Sequence, residues 1–158
     1  MMKMPPNIAA WFQGNLYLLT LSGYSADLFI CAKPGELNDD PKFRWQLAVD
    51  MVYRGVKCGL MDVWDGANKA RGTMGYSLEL VKELAQFDPN SDHVCWVGPE
   101  IEASELCHAL VKQFDVQNFE LGQICGPFVE EIEALFDRNG VSWSDTPLIE
   151  LGSGGSRA

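Results

Sequence analysis

The sequence predicts a mainly α-helical fold with a small β element, a single-domain, helical bundle-like globule. Three observations carry that expectation. Apolar residues recur at three- and four-residue spacing in stretches around 41–57, 77–87, 99–114 and 126–138. Only short runs, Leu60–Trp64 and His93–Val97, read as extended. At 158 residues, with 47% hydrophobic and 22% charged residues, the chain has the length and composition of one ordinary globular domain. Residues 1–151 are assigned to that domain and 152–158, "GSGGSRA", to a flexible tail.

Ile8 to Cys31 is apolar and aromatic, interrupted by Gln13-Gly14-Asn15 and Ser22-Gly23, and periodicity alone does not separate helix from strand. We read a helix over Pro6–Leu21 and a short second element over Ala26–Ala32. Pro34-Gly35 and Asn38–Pro41 mark turns. Asp40 can N-cap the next helix, with Pro41 at its first position. On that helix Phe43, Leu47, Ala48, Met51, Val52, Gly55 and Val56 form the apolar stripe. Gln46, Asp50, Arg54 and Lys57 fall on the other side, with Asp50 and Arg54 spaced to pair. Gly59 stops the helix, and the chain runs extended with Leu60 and Trp64 on one face. "GANKARGTMGY" (66–76) reads as an exposed loop, and Ser77 as the cap of a helix to Phe87. His93–Val97 reads as a strand and Gly98-Pro99 as the start of a helix with Glu100, Glu102 and Glu105 in its first turns. Gly126-Pro127 opens a last helix, with Phe128, Val129, Ile132, Leu135 and Phe136 inward and Glu130, Glu131 and Glu133 toward water, closed by Asn139-Gly140.

Net charge is the informative bulk property. Residues 1–91 hold ten acidic and nine basic residues, whereas 92–150 hold twelve acidic and only Lys112 and Arg138 as basic ones. The sign disfavours nucleic acid and anionic membrane, which need Lys and Arg. It favours either a basic protein partner or a solvated acidic face kept for solubility. No run approaches the roughly twenty apolar residues of a membrane helix. The longest N-terminal apolar run, Leu16–Leu21, is too short for a secretory core, so a cytoplasmic location is expected.

The five cysteines, Cys31, Cys58, Cys95, Cys107 and Cys125, are odd in number and widely spaced, which fits reduced, mostly buried thiols. His93, Cys95, Cys107 and His108 are metal-ligand types, but adjacent helical residues such as Cys107 and His108 point about 100° apart. No P-loop or nucleophile-elbow motif occurs. No catalytic residue, cofactor or metal site is therefore assigned. A pocket with a thiol or carboxylate near His93 or His108 is the feature that would favour an enzyme. Among the five tryptophans, Trp45 lies off its helical stripe and Trp143 sits in the polar stretch "NGVSWSDTP"; beside acids, either could anchor a protein partner or simply pack under a loop.

"DMVYRGVKCGLMDVW", with Asp50, Tyr53, Arg54, Lys57 and Gly59, resembles a recurring helix-to-strand segment of small bacterial immunity proteins of polymorphic toxin systems, of contact-dependent or type VI delivery. The resemblance covers about twenty residues. It implies a small, soluble, cytoplasmic protein that binds and neutralises a cognate toxin, often a basic one such as a nuclease, by occlusion. The expected partner-binding residues are Glu100, Glu102, Glu105, Glu130, Glu131 and Glu133, with Trp143 as apolar anchor. A small cytosolic enzyme and an adaptor subunit are the alternatives.

Overall fold

The computed structural model describes residues 2–31, 40–65, 74–120 and 122–152. Among these the order is α1 (Pro6–Leu21), β1 (Tyr24–Ser25), α2 (Ala26–Cys31), α3 (Pro41–Lys57), β2 (Met61–Asp65), α4 (Met74–Leu84), α5 (His93–Val97), β3 (Pro99–Ala103), α6 (Glu105–Gln113) and α7 (Gly126–Arg138), with a 3-10 turn at Val116–Asn118. The architecture is mainly α with one three-stranded antiparallel sheet, β3 lying between β1 and β2. No helix among the described residues is long and apolar enough to cross a membrane.

α1 is withdrawn from water over most of its length, including Gln13 and Asn15. These polar residues do not break the helix because each is satisfied inside the fold. Gln13 donates to the Gln123 carbonyl and accepts from the Cys125 N–H, both at 2.8 Å. Asn15 donates to the Trp11 carbonyl at 2.9 Å and accepts from the Tyr24 hydroxyl at 2.6 Å. Around α1 the aromatic rings interlock. Trp11 meets Phe29 of α2 edge-on at 5.0 Å between centroids, and Phe12 meets Phe136 of α7 at 6.0 Å.

α3 starts as its sequence predicts, with Asp40 Oδ1 accepting from the Lys42 N–H, and ends before Gly59 at φ +73°. Its expected water-facing side is not one. Asp50 is 7% exposed and Arg54 1%, because residues 141–149 lie across them. Arg54 donates from Nε to the Val141 carbonyl at 2.8 Å and from Nη2 to the Ser142 carbonyl at 2.9 Å. Asp50 accepts from the Ile149 N–H at 2.9 Å, and Gln46 donates to the Ile149 carbonyl at 2.8 Å. Trp143, half-buried, lies over the Arg54 guanidinium at 5.4 Å. Gly152, expected in the tail, donates to the Ala85 carbonyl at 2.8 Å; the rest of the tail lies outside the described residues. Burial pushes the Asp50 carboxyl above its ordinary value, against hydrogen bonds from Ile149, Leu148 and Gln46 and the charge of Arg54.

In β2 the inward residues are Met61 and Val63, while Trp64 is only half-buried, so the expected Leu60–Trp64 face is reversed once pairing begins. Ser77 is not a cap. It lies within α4, fully buried, and its Oγ donates to the Val63 carbonyl at 2.7 Å and accepts from the Val63 N–H at 3.2 Å. A side chain thereby meets the free edge of β2 where another strand would otherwise pair. The 66–76 loop falls mostly outside the described residues; its last three, 74–76, open α4.

The stretch 93–103 inverts the sequence reading. His93–Val97 is a helical turn and Pro99–Ala103 the central strand. Trp96 alone is buried in α5, with Nε1 donating to the Phe87 carbonyl at 2.7 Å, whereas Val94 is 81% exposed. The helix expected from Gly98 begins at Glu105, capped by Ser104 Oγ accepting from the Cys107 N–H.

Ser77→Ala strands both Val63 backbone groups and should destabilise the protein by about 1–3 kcal/mol, measured by urea unfolding. Arg54→Met removes two charge-assisted hydrogen bonds and the cation one turn from Asp50; a loss of about 3 kcal/mol or more is expected in the same measurement. Because its folded carboxyl is raised, Asp50 favours the folded state fully at low pH. That contribution fades as pH climbs from the ordinary value of 3.8 through the raised one, so Asp50→Asn should flatten the stability profile there.

Candidate functional site

Antiparallel pairing of β2 with β3 sets Asp62 opposite Glu102 and Trp64 opposite Glu100, while Val63 and Ile101 face inward. Residues directly opposite in such a pair share a face with Cβ atoms about 5 Å apart, where like charges repel. Asp62 and Glu102 are thus two carboxylates side by side on the outer face of the sheet, with Glu100 one position along. Glu105 follows at the first turn of α6, its charge favoured by the helix N-terminus.

Asp62, Glu102 and Glu105 line one open cleft of about 440 Å³, together with Ser104, His108 and the 19–23 segment. Leu21, 65% exposed, adds apolar surface to its wall. Gly23 lets that wall close in, since a Cβ there would stand 2.9 Å from the Ile101 carbonyl oxygen and 3.0 Å from Glu102 Cγ. The arrangement can attract and hold a cationic group. It supplies no activated nucleophile. The Ser104 hydroxyl is committed, donating to the Gly59 carbonyl at 2.6 Å while capping α6. The His108 side chain makes no hydrogen bond among the described residues that would orient it as a base.

The expected partner-binding set is divided between elements. Glu102 and Glu105 line the cleft, with Glu100 on the adjoining sheet face. Glu130 and Glu131 are on α7 and do not line it; Glu131 is 3.3 Å from Arg138. Glu133 is a correction: it is 4% exposed, and its carboxylate takes the backbone N–H of Lys3 at 2.7 and 3.0 Å and of Met4 at 2.7 Å. It pins the N-terminal segment and is not open to a partner. Trp143 is half-buried on Arg54, and Trp45 is buried with Nε1 donating to the Leu84 carbonyl at 3.2 Å. Asp62 was absent from the expected set because it lies in the nearly neutral half of the chain; the alternation Met61-Asp62-Val63 was the available sign that it points outward.

The four metal-ligand types are not brought together. His93 and Cys95 sit on α5, Cys107 is buried on α6 against the Leu16 carbonyl, and His108 lines the cleft. Among the described residues no three His, Cys, Asp or Glu side chains are grouped to hold a metal ion. Burial pushes the Cys107 thiol up to about 12 and the Cys58 thiol up to about 11, the latter against a hydrogen bond with Asn139 and the nearby arginines. Thiols so placed are poor nucleophiles.

Compared with models of known protein families, with curated proteins and with solved structures, the chain matches none.

In native protein treated with iodoacetamide at about pH 8, Cys58 and Cys107 should remain unmodified while half-exposed Cys95 reacts, as read by peptide mass spectrometry. Modification of Cys107 at the rate of Cys95 would contradict this account of the core.

Proposed function

We propose that this protein is an inhibitor of the immunity-protein kind, which captures a basic partner protein, a cognate toxin, in the acidic cleft beside β3 and performs no chemistry itself. The observation that carries the reading is the convergence of Asp62, Glu102 and Glu105 on one open cleft, with Glu100 on the same sheet face. Lysine or arginine side chains of a partner would enter this field, and Leu21 offers an apolar contact at its wall. Charge of this kind mainly speeds association and selects the partner, whereas the buried contacts set the lifetime of the complex. The resemblance of residues 50–59 to immunity proteins and the acidic excess of 92–150 point the same way.

A second reading, acid–base chemistry on a cationic substrate, draws on His108 sharing the cleft with carboxylates. The two readings separate in one experiment. The basic protein that this chain captures from its native host is co-expressed with variants of it, and growth and affinity are measured. Glu100→Lys, Glu102→Lys and Glu105→Lys combined should weaken capture by well over tenfold at low salt and abolish protection. Glu130→Lys with Glu131→Lys should change affinity less than threefold, and His108→Ala should leave protection intact. Unchanged affinity in the triple variant removes the cleft as the docking site; loss of protection in His108→Ala with binding retained favours chemistry.

A further inference from the structure

Asp50 and Arg54 stand one turn apart on α3, both more than nine-tenths withdrawn from solvent, yet no direct ion pair joins them. Each is tied instead to the C-terminal segment, and both line a cavity of about 140 Å³ between α3 and that segment. The Arg54 guanidinium has five N–H donors and, among the described residues, two oxygen acceptors, the carbonyls of Val141 and Ser142. Its Nη1 has no closer partner than the Met51 sulfur at 3.8 Å, a weak acceptor. A buried cation with unfilled donors is costly unless an anion or another acceptor completes it. Asp50 still has acceptor capacity beyond the Ile149 N–H and Gln46 amide that it receives. Asp145 adds negative charge at the same cavity, while Phe43, Leu47 and the Trp143 ring give it an apolar wall.

We infer that this cavity binds a small zwitterion of the α-amino-acid class with a short side chain, its carboxylate on Arg54, its ammonium beside Asp50, and its side chain against Phe43, Leu47 and Trp143. The ligand supplies to each buried charge the counter-charge that the protein does not bring into contact. The volume matches: at about 30 Å³ per water, the cavity holds about five water-sized groups, which is room for glycine, alanine or serine. Water alone is a poorer filling, since half of the wall offers it no hydrogen bond. The site shares no lining residue with the acidic cleft, so it stands independently of the toxin reading.

The test is calorimetric titration of the full chain with L-alanine, propionate and propylamine, with thermal unfolding alongside. L-alanine should bind and raise Tm in a concentration-dependent way. Propionate and propylamine, each carrying one of the two charges, should bind at least tenfold more weakly. Asp50→Asn should weaken alanine more than tenfold while leaving propionate within twofold. Leu47→Phe, which fills the cavity without touching either charge, should abolish alanine binding and keeps the test valid if Asp50→Asn does not fold. Absence of heat and of any Tm shift with millimolar alanine overturns the inference. So does propionate binding as tightly as alanine, or alanine binding that survives Leu47→Phe in a folded protein.

Discussion

The fold depends on α3 holding the C-terminal segment through Arg54, Asp50 and Gln46. Residues 141–152 belong to no helix or strand, so their backbone groups need partners from elsewhere when they are covered. α3 supplies them from one face: Arg54 to two successive carbonyls, Asp50 to the Ile149 N–H, Gln46 to the Ile149 carbonyl. A guanidinium suits this task because its fork spans adjacent acceptors and it stays charged even though burial lowers its pKa. A lysine would bring a point charge with stronger hydration and no fork. The clamp also explains why half of an amphipathic helix can carry charge and still be core. The Trp143 and Phe136 rings lie 5.4 and 5.8 Å from the same guanidinium, so the cation is packed as an aromatic partner as well as hydrogen-bonded.

The small sheet places the acids. Its three strands come from residues 24–25, 61–65 and 99–103, with β3 in the middle. Ile101 must face inward to meet Val63 and the α1 side of the core, and this alone forces Glu100 and Glu102 outward. A slip of one residue would bury two carboxylates and expose Ile101, so register is strongly specified. The cost is a cross-strand pair of like charges, Asp62 and Glu102. Nothing in the core requires acids at these positions. A pair that weakens the sheet while facing an open cleft is the kind of local inconsistency expected where a surface serves binding.

Much of the helical frame was legible in the sequence, and the misreadings have definite physical origins. The Asp40-Pro41 start, the Gly59 stop and the Gly126–Arg138 helix follow from caps, prolines and apolar spacing, which are local, whereas Pro6–Leu21 is apolar over most of its length and has no capping side chain, so its spacing does not distinguish it from a strand. The inversion at 93–103 came from giving Gly98-Pro99 the weight of a helix start. Ser104 was the true cap, and the alternation Glu100-Ile101-Glu102 carried a period of two in plain view. The run His93–Val97 is largely apolar, yet it forms a single helical turn between the Asp88–Asp92 turn and Gly98-Pro99 in which only Trp96 is buried. The burial of Asp50, Arg54, Ser77 and Glu133 was not legible, since each is fixed by a chain segment 14 to 130 residues away. Of the candidate site, the sequence exposed Glu100, Glu102 and Glu105 through charge asymmetry, but the partnership of Asp62 and His108 with them exists only after β2 pairs with β3 and α6 follows.

That partnership changes what the net charge of −10 means. A formal count treats every carboxylate as available to a partner, and the fold does not. Asp50 is taken up by the C-terminal clamp and Glu133 by the N-terminal backbone. Asp137 receives hydrogen bonds from Ser142 and Lys3, which hold its carboxyl below the usual carboxylate range, and Glu131 meets Arg138. Much of the acidity of α7 is therefore spent internally or beside a cation, although α7 carries half of the six glutamates that charge patterning singled out. At a Debye length of about 8 Å in physiological salt, remote surface charges contribute little to the potential at any one place, and the local group decides. Asp62, Glu102 and Glu105 form such a group, with Glu100 on the adjoining sheet face, and among the described residues no lysine or arginine lines the cleft. The acidic cleft is accordingly a property of two paired strands and the helix turn that follows the second, and the acidic composition of the C-terminal half reports only part of it.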